Sequence, residues 1–93
     1  MADFIRTDQD LLPQLLPHSS AEVLGMISFE LMRHTYSIEG YTKLLEQEDV
    51  IPEAKTKFIE YIKVNTQKMH RLLNAAYEYL EKNEGMSNPY KVE

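Results

Sequence analysis

Two stretches of the chain place apolar residues at alternating intervals of three and four, the spacing of a helix that buries one stripe. The first stretch spans residues 24–45 and the second spans residues 58–79. The stripe of the first helix consists of Leu24, Ile27, Leu31, His34, Ile38, Tyr41 and Leu45. The stripe of the second helix consists of Phe58, Ile62, Asn65, Met69, Leu72, Ala76 and Tyr79. Both stripes follow a heptad pattern, which predicts two long amphipathic helices.

Residues at the ends of both stretches carry helix start and stop signals. Ser19 and Glu22 form a capping box, in which the side chain of each residue bonds the backbone N–H of the other. Pro52 suits the first turn of a second helix, and Gly85 suits the left-handed residue that ends it. We therefore predict helices over about residues 19–48 and 52–84, after an N-terminal leader (residues 1–18) and before a flexible tail (residues 85–93).

The leader contains two prolines, in the segment "LLPQLLPH". Pro13 and Pro17 exclude a long helix there, because proline lacks the N–H that a helix interior needs. The leader is therefore expected to form a short amphipathic turn that packs on the main body.

Two long helices joined by a short turn fold back on each other, which predicts an all-α antiparallel helical hairpin. A lone hairpin leaves apolar residues such as Val23, Ile59 and Leu73 in contact with water. The chain has no cysteine, so no disulfide can stabilise a lone hairpin. We therefore predict that two hairpins pair into a homodimeric four-helix bundle, with both stripes as its core. Asn65 in the second stripe either sets the register of that core or lies at a bundle end and bonds water.

Composition narrows the classes of partner. The net charge is −5 and the basic residues are scattered, so the chain lacks the basic face that a nucleic-acid partner requires. No apolar run approaches the roughly 20 residues that span a bilayer, so no membrane segment is expected. The absence of cysteine is compatible with a reducing cytoplasm.

The outermost positions of the first helix break the rule that such positions are polar. If the leucines of the first stripe are heptad a positions, then Phe29 and Tyr36 are outward-facing f positions, whereas the f positions of the second helix are all polar. Met32 lies between these two aromatic residues, and Gly40 follows one turn beyond them. The four residues form a continuous outer stripe on one helix.

Three explanations of this outer stripe are open. An exposed apolar stripe beside a small residue suits the docking of a partner helix. Alternatively, the segment "LLPQLLP" of the leader folds over the stripe and makes it ordinary core. The third explanation is exposure without a role.

Both helices resemble one protein family. The segment "SFELMRHTYSIEGYTKLL", residues 28–45, resembles the first helix of the dimerisation and histidine phosphotransfer domain of bacterial sensor histidine kinases, whose pattern reads roughly S-H-E-L-R-T-P-L-x-x-I-x-G-Y-x-x-L-L. The segment "YIKVNTQKMHRLLNAAYEYL", residues 61–80, is similar to the family's second helix, I-x-x-N-x-x-x-L-x-x-L-I-N-x-L. The resemblance covers about residues 20–84. It implies a cytoplasmic, homodimeric four-helix bundle that takes part in two-component signalling.

The departures from the family pattern concern its chemistry. Phe29 stands at the position that matches the phosphorylated histidine, and a phenyl ring has no nucleophilic nitrogen. Arg33 matches the residue that orients the hydrolytic water in dephosphorylating members, and His34 replaces the proline that kinks the family's helix. The nine residues after Glu84 are too few for the family's ATP-binding domain, and this sequence has no Gly-rich phosphate loop, so a chain that ends here is expected not to be a kinase. We therefore expect a non-catalytic relative of the family.

The resemblance implies that the outer stripe docks a protein of a two-component pathway. The expected partners are a response-regulator receiver domain or a sensor kinase. The expected docking residues are Phe29, Met32, Arg33, Tyr36 and Gly40. Two alternatives are a phosphorelay histidine phosphotransferase that uses His34 or His70, and a plain helical oligomerisation module.

The histidines also have simpler explanations. His34 is expected to be a core histidine that bonds Glu30, one turn earlier, or a partner across the bundle. His18 and Glu22 lie one turn apart, but two ligands do not make a metal site. We predict neither a metal nor a cofactor.

Overall fold

The structure, a computed structural model, describes residues 5–6 and 8–85 and contains three helices and no strand in that part of the chain. The helices are α1 (Leu12–Leu15), α2 (Ser20–Leu45) and α3 (Pro52–Glu84). α2 and α3 pack against each other along their length in opposite directions, which confirms the predicted all-α helical hairpin. The predicted tail lies outside the described residues beyond Gly85.

The ends of both long helices follow the predicted signals. Ser19 accepts a hydrogen bond from the backbone N–H of Glu22, and the Glu22 carboxylate accepts one from the backbone N–H of Ser19 at 2.9 Å. Pro52 begins α3, and Gly85 ends it at φ 65°, where a side chain would be strained. The prediction that the first helix reaches residue 48 is wrong, because α2 ends at Leu45. The acidic residues that follow are unfavourable at the negative end of a helix dipole.

The core lies at the end of the hairpin where α2 begins and α3 ends, and the leader forms part of it. The leader contributes Ile5, Leu11 and Leu15, and Leu15 is fully buried. The helices contribute Val23, Ile27, Leu72, Ala75 and Tyr79. The expectation that Val23 contacts water is therefore wrong, because the leader supplies a third wall at this end of the hairpin.

Hydrogen bonds hold the leader in place. The side-chain amide of Gln14 accepts from the backbone N–H of Arg6 at 2.7 Å and donates to the Arg6 carbonyl at 2.8 Å, so it ties the start of the leader to α1. From α3, the Arg71 guanidinium donates to the Gln9 carbonyl at 3.2 Å, and the Tyr79 hydroxyl donates to the His18 carbonyl. The prediction of a short turn packed on the main body is confirmed.

The predicted stripe of the first helix divides into two in the structure. Ile27 and His34, which are d positions, are buried between α2 and α3. The a positions lie towards one side of the hairpin, where Leu31, Ile38 and Leu45 are half-buried and Leu24 remains 69% exposed. The d residues therefore face α3 directly, whereas the a residues lie at the edge of the contact.

The side of the hairpin opposite the leader forms a mostly uncharged surface, which we call the open face. By helical spacing, its α3 row begins at Lys55 and ends at Glu84, and the residues of the row between them are uncharged. Helical spacing of about 100° per residue places two rows of residues there, one from each long helix. The open face consists of Leu24, Leu31, Thr35, Ile38, Thr42 and Leu45 from α2, and Ile59, Ile62, Thr66, Met69, Leu73 and Leu80 from α3. Between Leu24 and Leu80 it holds an apolar cleft of about 300 Å³.

The threonines of the open face do not make it polar. Thr35 donates its hydroxyl to the Leu31 carbonyl at 2.9 Å, and Thr42 donates to the Ile38 carbonyl at 2.7 Å. Thr66 donates in the same way to the Ile62 carbonyl at 2.9 Å. Each hydroxyl is satisfied within its own helix, so the face needs no polar partner at these positions.

The capping box predicts a pH-dependent contribution to stability. The bond from the Ser19 backbone N–H, together with the Ser19 side chain and His18, holds the pKa of Glu22 below its ordinary value of 4.5. Because the pKa is lower in the folded chain, the contribution is present above pH 4.5 and is lost as the pH falls through the folded value. We expect Glu22→Gln to lower the melting temperature at pH 7 and to match the wild type near pH 3.

The measurement is thermal unfolding followed by circular dichroism between pH 3 and pH 7. Glu39→Gln is the matched control, since Glu39 is an exposed glutamate in the middle of the same helix. If the difference in melting temperature between Glu22→Gln and the wild type stays constant across this pH range, the charge of the Glu22 carboxylate does not stabilise the start of the helix.

Candidate functional site

The outer stripe lies on the solvent side of α2 and is exposed. Phe29 is 54% exposed, Met32 is 53% exposed and Tyr36 is 62% exposed. They occupy consecutive turns, so their side chains form one apolar patch. The structure therefore brings together the predicted docking residues Phe29, Met32 and Tyr36 on one helix face, with nothing in the described residues covering them.

The leader does not cover the outer stripe. Its buried residues Ile5, Leu11 and Leu15 pack between α2 and α3, in the core with Leu72 and Tyr79. The explanation that the leader makes the stripe ordinary core is therefore wrong for the described residues. The reason is geometric, because a leader that enters α2 through Pro17 and Ser19 runs along α3 rather than around the far side of α2.

Glycines flank the outer stripe at both ends. Gly40 lies one turn after Tyr36, and Gly25 lies one turn before Phe29. A side-chain carbon built at either glycine would have nothing within 4 Å. The folded chain therefore does not require glycine at these positions, although each glycine weakens the helix by roughly 1 kcal/mol relative to alanine. The sequence analysis missed Gly25, which its spacing from Phe29 would have revealed.

The predicted docking residue Arg33 is held by an acidic neighbour. Its guanidinium Nη1 donates to both carboxylate oxygens of Glu30, at 3.0 and 3.2 Å. Glu30 is only 2% exposed, whereas the Arg33 side chain is 60% exposed. Arg33 thus covers a buried carboxylate from the solvent side. The burial of Glu30 was not predicted, because an acidic residue next to the stripe gives no sequence signal of burial.

His34 bonds across the hairpin rather than to Glu30. Its Nδ1 lies 2.7 Å from Oδ1 of Asn65, and the Asn65 amide nitrogen donates to the Tyr61 carbonyl at 2.8 Å. That second bond orients the amide, so Oδ1 is the acceptor and Nδ1 of His34 carries the proton. Of the two expectations, the partner across the helices is confirmed. Asn65 is the partner, and the polar members of the two stripes satisfy each other.

A second contact follows the same antiparallel register as the contact between His34 and Asn65. Tyr41 lies two turns after His34 on α2, and Phe58 lies two turns before Asn65 on α3. Their rings stack with centroids 6.0 Å apart. Nε2 of His34 is buried and makes no hydrogen bond within the described residues. A ring that is 9% exposed and bonded to Asn65 is poorly placed for attack on a bulky phosphoprotein.

The remaining histidines form no cluster with other ligands. His18 Nδ1 lies 3.8 Å from the Glu22 carboxylate, and His70 is exposed on α3 beside Leu73 and Tyr77. No group of three or more side chains in the described part of the chain could hold a metal ion. None of the helices described combines the length and apolar character that crossing a membrane would need.

Comparison with protein-family models, with curated proteins and with solved structures finds no match to this chain.

The contact between His34 and Asn65 predicts a coupled effect on stability. Asn65→Ala leaves the buried Nδ1–H of His34 without an acceptor, so we expect a loss of about 1–3 kcal/mol in the free energy of unfolding. Replacing both residues with leucine removes the unpaired group, so the double variant should lose less than the sum of the two single leucine variants. Chemical denaturation of the four proteins measures this coupling.

Asn74→Ala is the matched control, because Asn74 lies exposed on the outer side of the same helix. It should change the free energy of unfolding by no more than about 0.5 kcal/mol. The assigned contact would be contradicted if Asn65→Ala and Asn74→Ala changed the free energy of unfolding equally. Additive effects of the two leucine substitutions on this free energy would also contradict it.

Proposed function

We propose that this chain is a non-catalytic interaction protein of a two-component pathway. It pairs with a second copy through the open face to form a four-helix bundle. It binds a response-regulator receiver domain, or a sensor kinase, through the outer stripe. The proposal rests on the exposed patch of Phe29, Met32 and Tyr36. This patch lies on the helix whose sequence pattern resembles a phosphotransfer helix. Phe29 stands at the position that matches the family's phosphorylated histidine.

The open face supports the pairing of two copies. It carries no charged side chain between Lys55 and Glu84 of α3, and its threonine hydroxyls are already bonded. Large apolar side chains such as Leu24, Ile59 and Leu73 are left exposed by the single chain. Covering such a surface with a second copy is favourable at about 25 cal/mol per Å² of apolar area.

The outer stripe and the open face point in different directions, so both can be occupied together. Phe29 and Tyr36 lie more than 100° around α2 from the open-face residues Leu31 and Ile38, by helical spacing. A partner on the outer stripe therefore leaves the pairing of two copies intact. A sensor kinase that formed a mixed dimer would instead compete for the open face.

The rival function is transfer of a phosphoryl group to a histidine. Phe29 has no side-chain nitrogen, and His34 is buried and bonded to Asn65, so His70 is the exposed one of the two candidate histidines. Incubation of the chain with a phosphorylated receiver domain tests this. Acid-labile phosphate on the chain would overturn the non-catalytic proposal, whereas a stable complex without transfer supports it.

Substitution of the aromatic residues tests the docking surface. We expect Phe29→Gln with Tyr36→Gln to weaken binding of a receiver domain at least tenfold, which is about 1.4 kcal/mol, because the patch loses its apolar anchors. The melting temperature should change little, since both side chains are already more than half exposed. Isothermal titration calorimetry against receiver domains encoded near the gene measures the affinity.

Lys43→Gln is the matched control, because Lys43 lies two turns beyond Tyr36 on the same outer face. Gly40→Ala is a second test variant. It should stabilise α2 by about 0.5–1 kcal/mol, and it should weaken binding if a partner approaches the helix closely at this position. Undiminished binding by the Gln double variant, combined with a large loss of stability, would contradict docking at this stripe.

Disruption of the open face tests the pairing. We expect Ile38→Glu to convert a dimer into a monomer, because the charge would be buried without a partner at the centre of the bundle. Ser37→Glu, one residue earlier and exposed on the other side of α2, is the control and should remain dimeric. Sedimentation velocity measures the mass. A wild-type chain that is monomeric at high micromolar concentration would contradict the proposed homodimer.

A further inference from the structure

The two long sides of the hairpin are covered differently. The open face is uncharged between Lys55 and Glu84 of α3 and carries no other part of the described chain. On the opposite side, which we call the leader side, the leader buries Leu72, Ala75 and Tyr79 of α3 almost completely. A hairpin has no intrinsic reason to expose one side and cover the other, so the difference comes from the leader.

The part of the leader side that the leader leaves uncovered carries both charged and apolar side chains. Helical spacing places Arg33 of α2 there, together with Lys57 and Lys68 of α3. Tyr61, which is 44% exposed, lies on the same side of α3. Arg33 is paired with the buried Glu30, and Lys57 is exposed. These charges would have to be desolvated if a second hairpin packed on this part of the leader side, which is costly without partners. The leader thus covers one half of the leader side, and the charged residues of the other half disfavour association there.

The contacts that hold the leader fall into two groups. Tyr79 and Arg71 donate hydrogen bonds to main-chain carbonyls of the leader, at His18 and Gln9. The apolar contacts come from three buried side chains, Ile5, Leu11 and Leu15, of which Leu15 is fully buried at 0% exposed. The next residue, Leu16, is 42% exposed and stands outside this contact. A single substitution at Leu15 can therefore release the leader without changing the sequence of the hairpin.

We propose that the leader is an internal cap that prevents a second copy of this chain from binding the leader side, so that copies associate through the open face alone. Release of the leader uncovers an uncharged strip, formed by Leu72, Ala75 and Tyr79, that resembles the open face in composition. A chain with two such surfaces associates beyond two copies. The conclusion that assembly stops at two copies rests on the proposed homodimer. The conclusion that the leader blocks the leader side does not depend on it.

The test compares Leu15→Glu with Leu16→Glu in the full chain by sedimentation velocity over a hundredfold range of concentration. We expect Leu15→Glu to form species larger than the wild type, in proportions that rise with concentration, because glutamate cannot occupy the buried site. Leu16→Glu should sediment like the wild type. Circular dichroism verifies that the helical content of both variants is retained, and limited proteolysis verifies that the leader of Leu15→Glu is released.

Gln14→Ala is a second variant for the case in which Leu15→Glu unfolds. It removes the bonds from Gln14 to Arg6 without touching the hairpin, and it should shift the mass in the same direction by a smaller amount. A released leader with an unchanged mass would overturn the cap, even if the wild type is a dimer. A monomeric wild type whose leader-released variants associate would overturn the homodimer and support the cap.

Discussion

A hairpin of two helices has two open sides, and this constraint decides the rest of the structure. The contact between α2 and α3 buries d positions of α2 such as His34, whereas the a positions lie at the edge of the contact and Leu24 remains exposed. The leader covers half of one side with Leu11 and Leu15. The described chain leaves the other side uncovered, and charged side chains lie only at the ends of that side. The assembly that we propose follows from this asymmetry, because the open face joins apolar residues of both long helices, whereas the outer stripe lies on α2 alone.

The polar pair within the hairpin determines which residues reach each surface. His34 and Asn65 satisfy each other only when the two helices are aligned at one register. A shift by one turn would leave the buried Nδ1–H of His34 without its acceptor, at a cost of about 1–3 kcal/mol. The register in turn places Leu31 and Ile38 on the open face and leaves Phe29 and Tyr36 outside. A histidine that first suggests chemistry therefore has a structural role, and the surface that we propose for binding lies on the opposite side of its helix.

Much of the fold could be predicted from the sequence, because it depends on local signals. The capping box at Ser19, the proline at residue 52 and the glycine at residue 85 are effects of neighbouring residues on the backbone. The heptad spacing likewise predicts two helices and a hairpin. The position of the leader could not be predicted, because periodicity does not distinguish the two sides of a hairpin. The pairing of Glu30 with Arg33 has the spacing of a helix ion pair, but that spacing does not show that Glu30 is buried.

The central claim is that the outer stripe and the open face are separate surfaces with separate occupants. The most direct measurement is a titration of the ¹⁵N-labelled chain with an unlabelled receiver domain, followed by amide chemical shifts. The account predicts that the largest changes cluster at Phe29, Met32, Tyr36 and Gly40, while the amides of Leu31 and Ile38 move little and the complex retains two copies of the chain. Changes concentrated on the open face, with loss of the paired state, would contradict it.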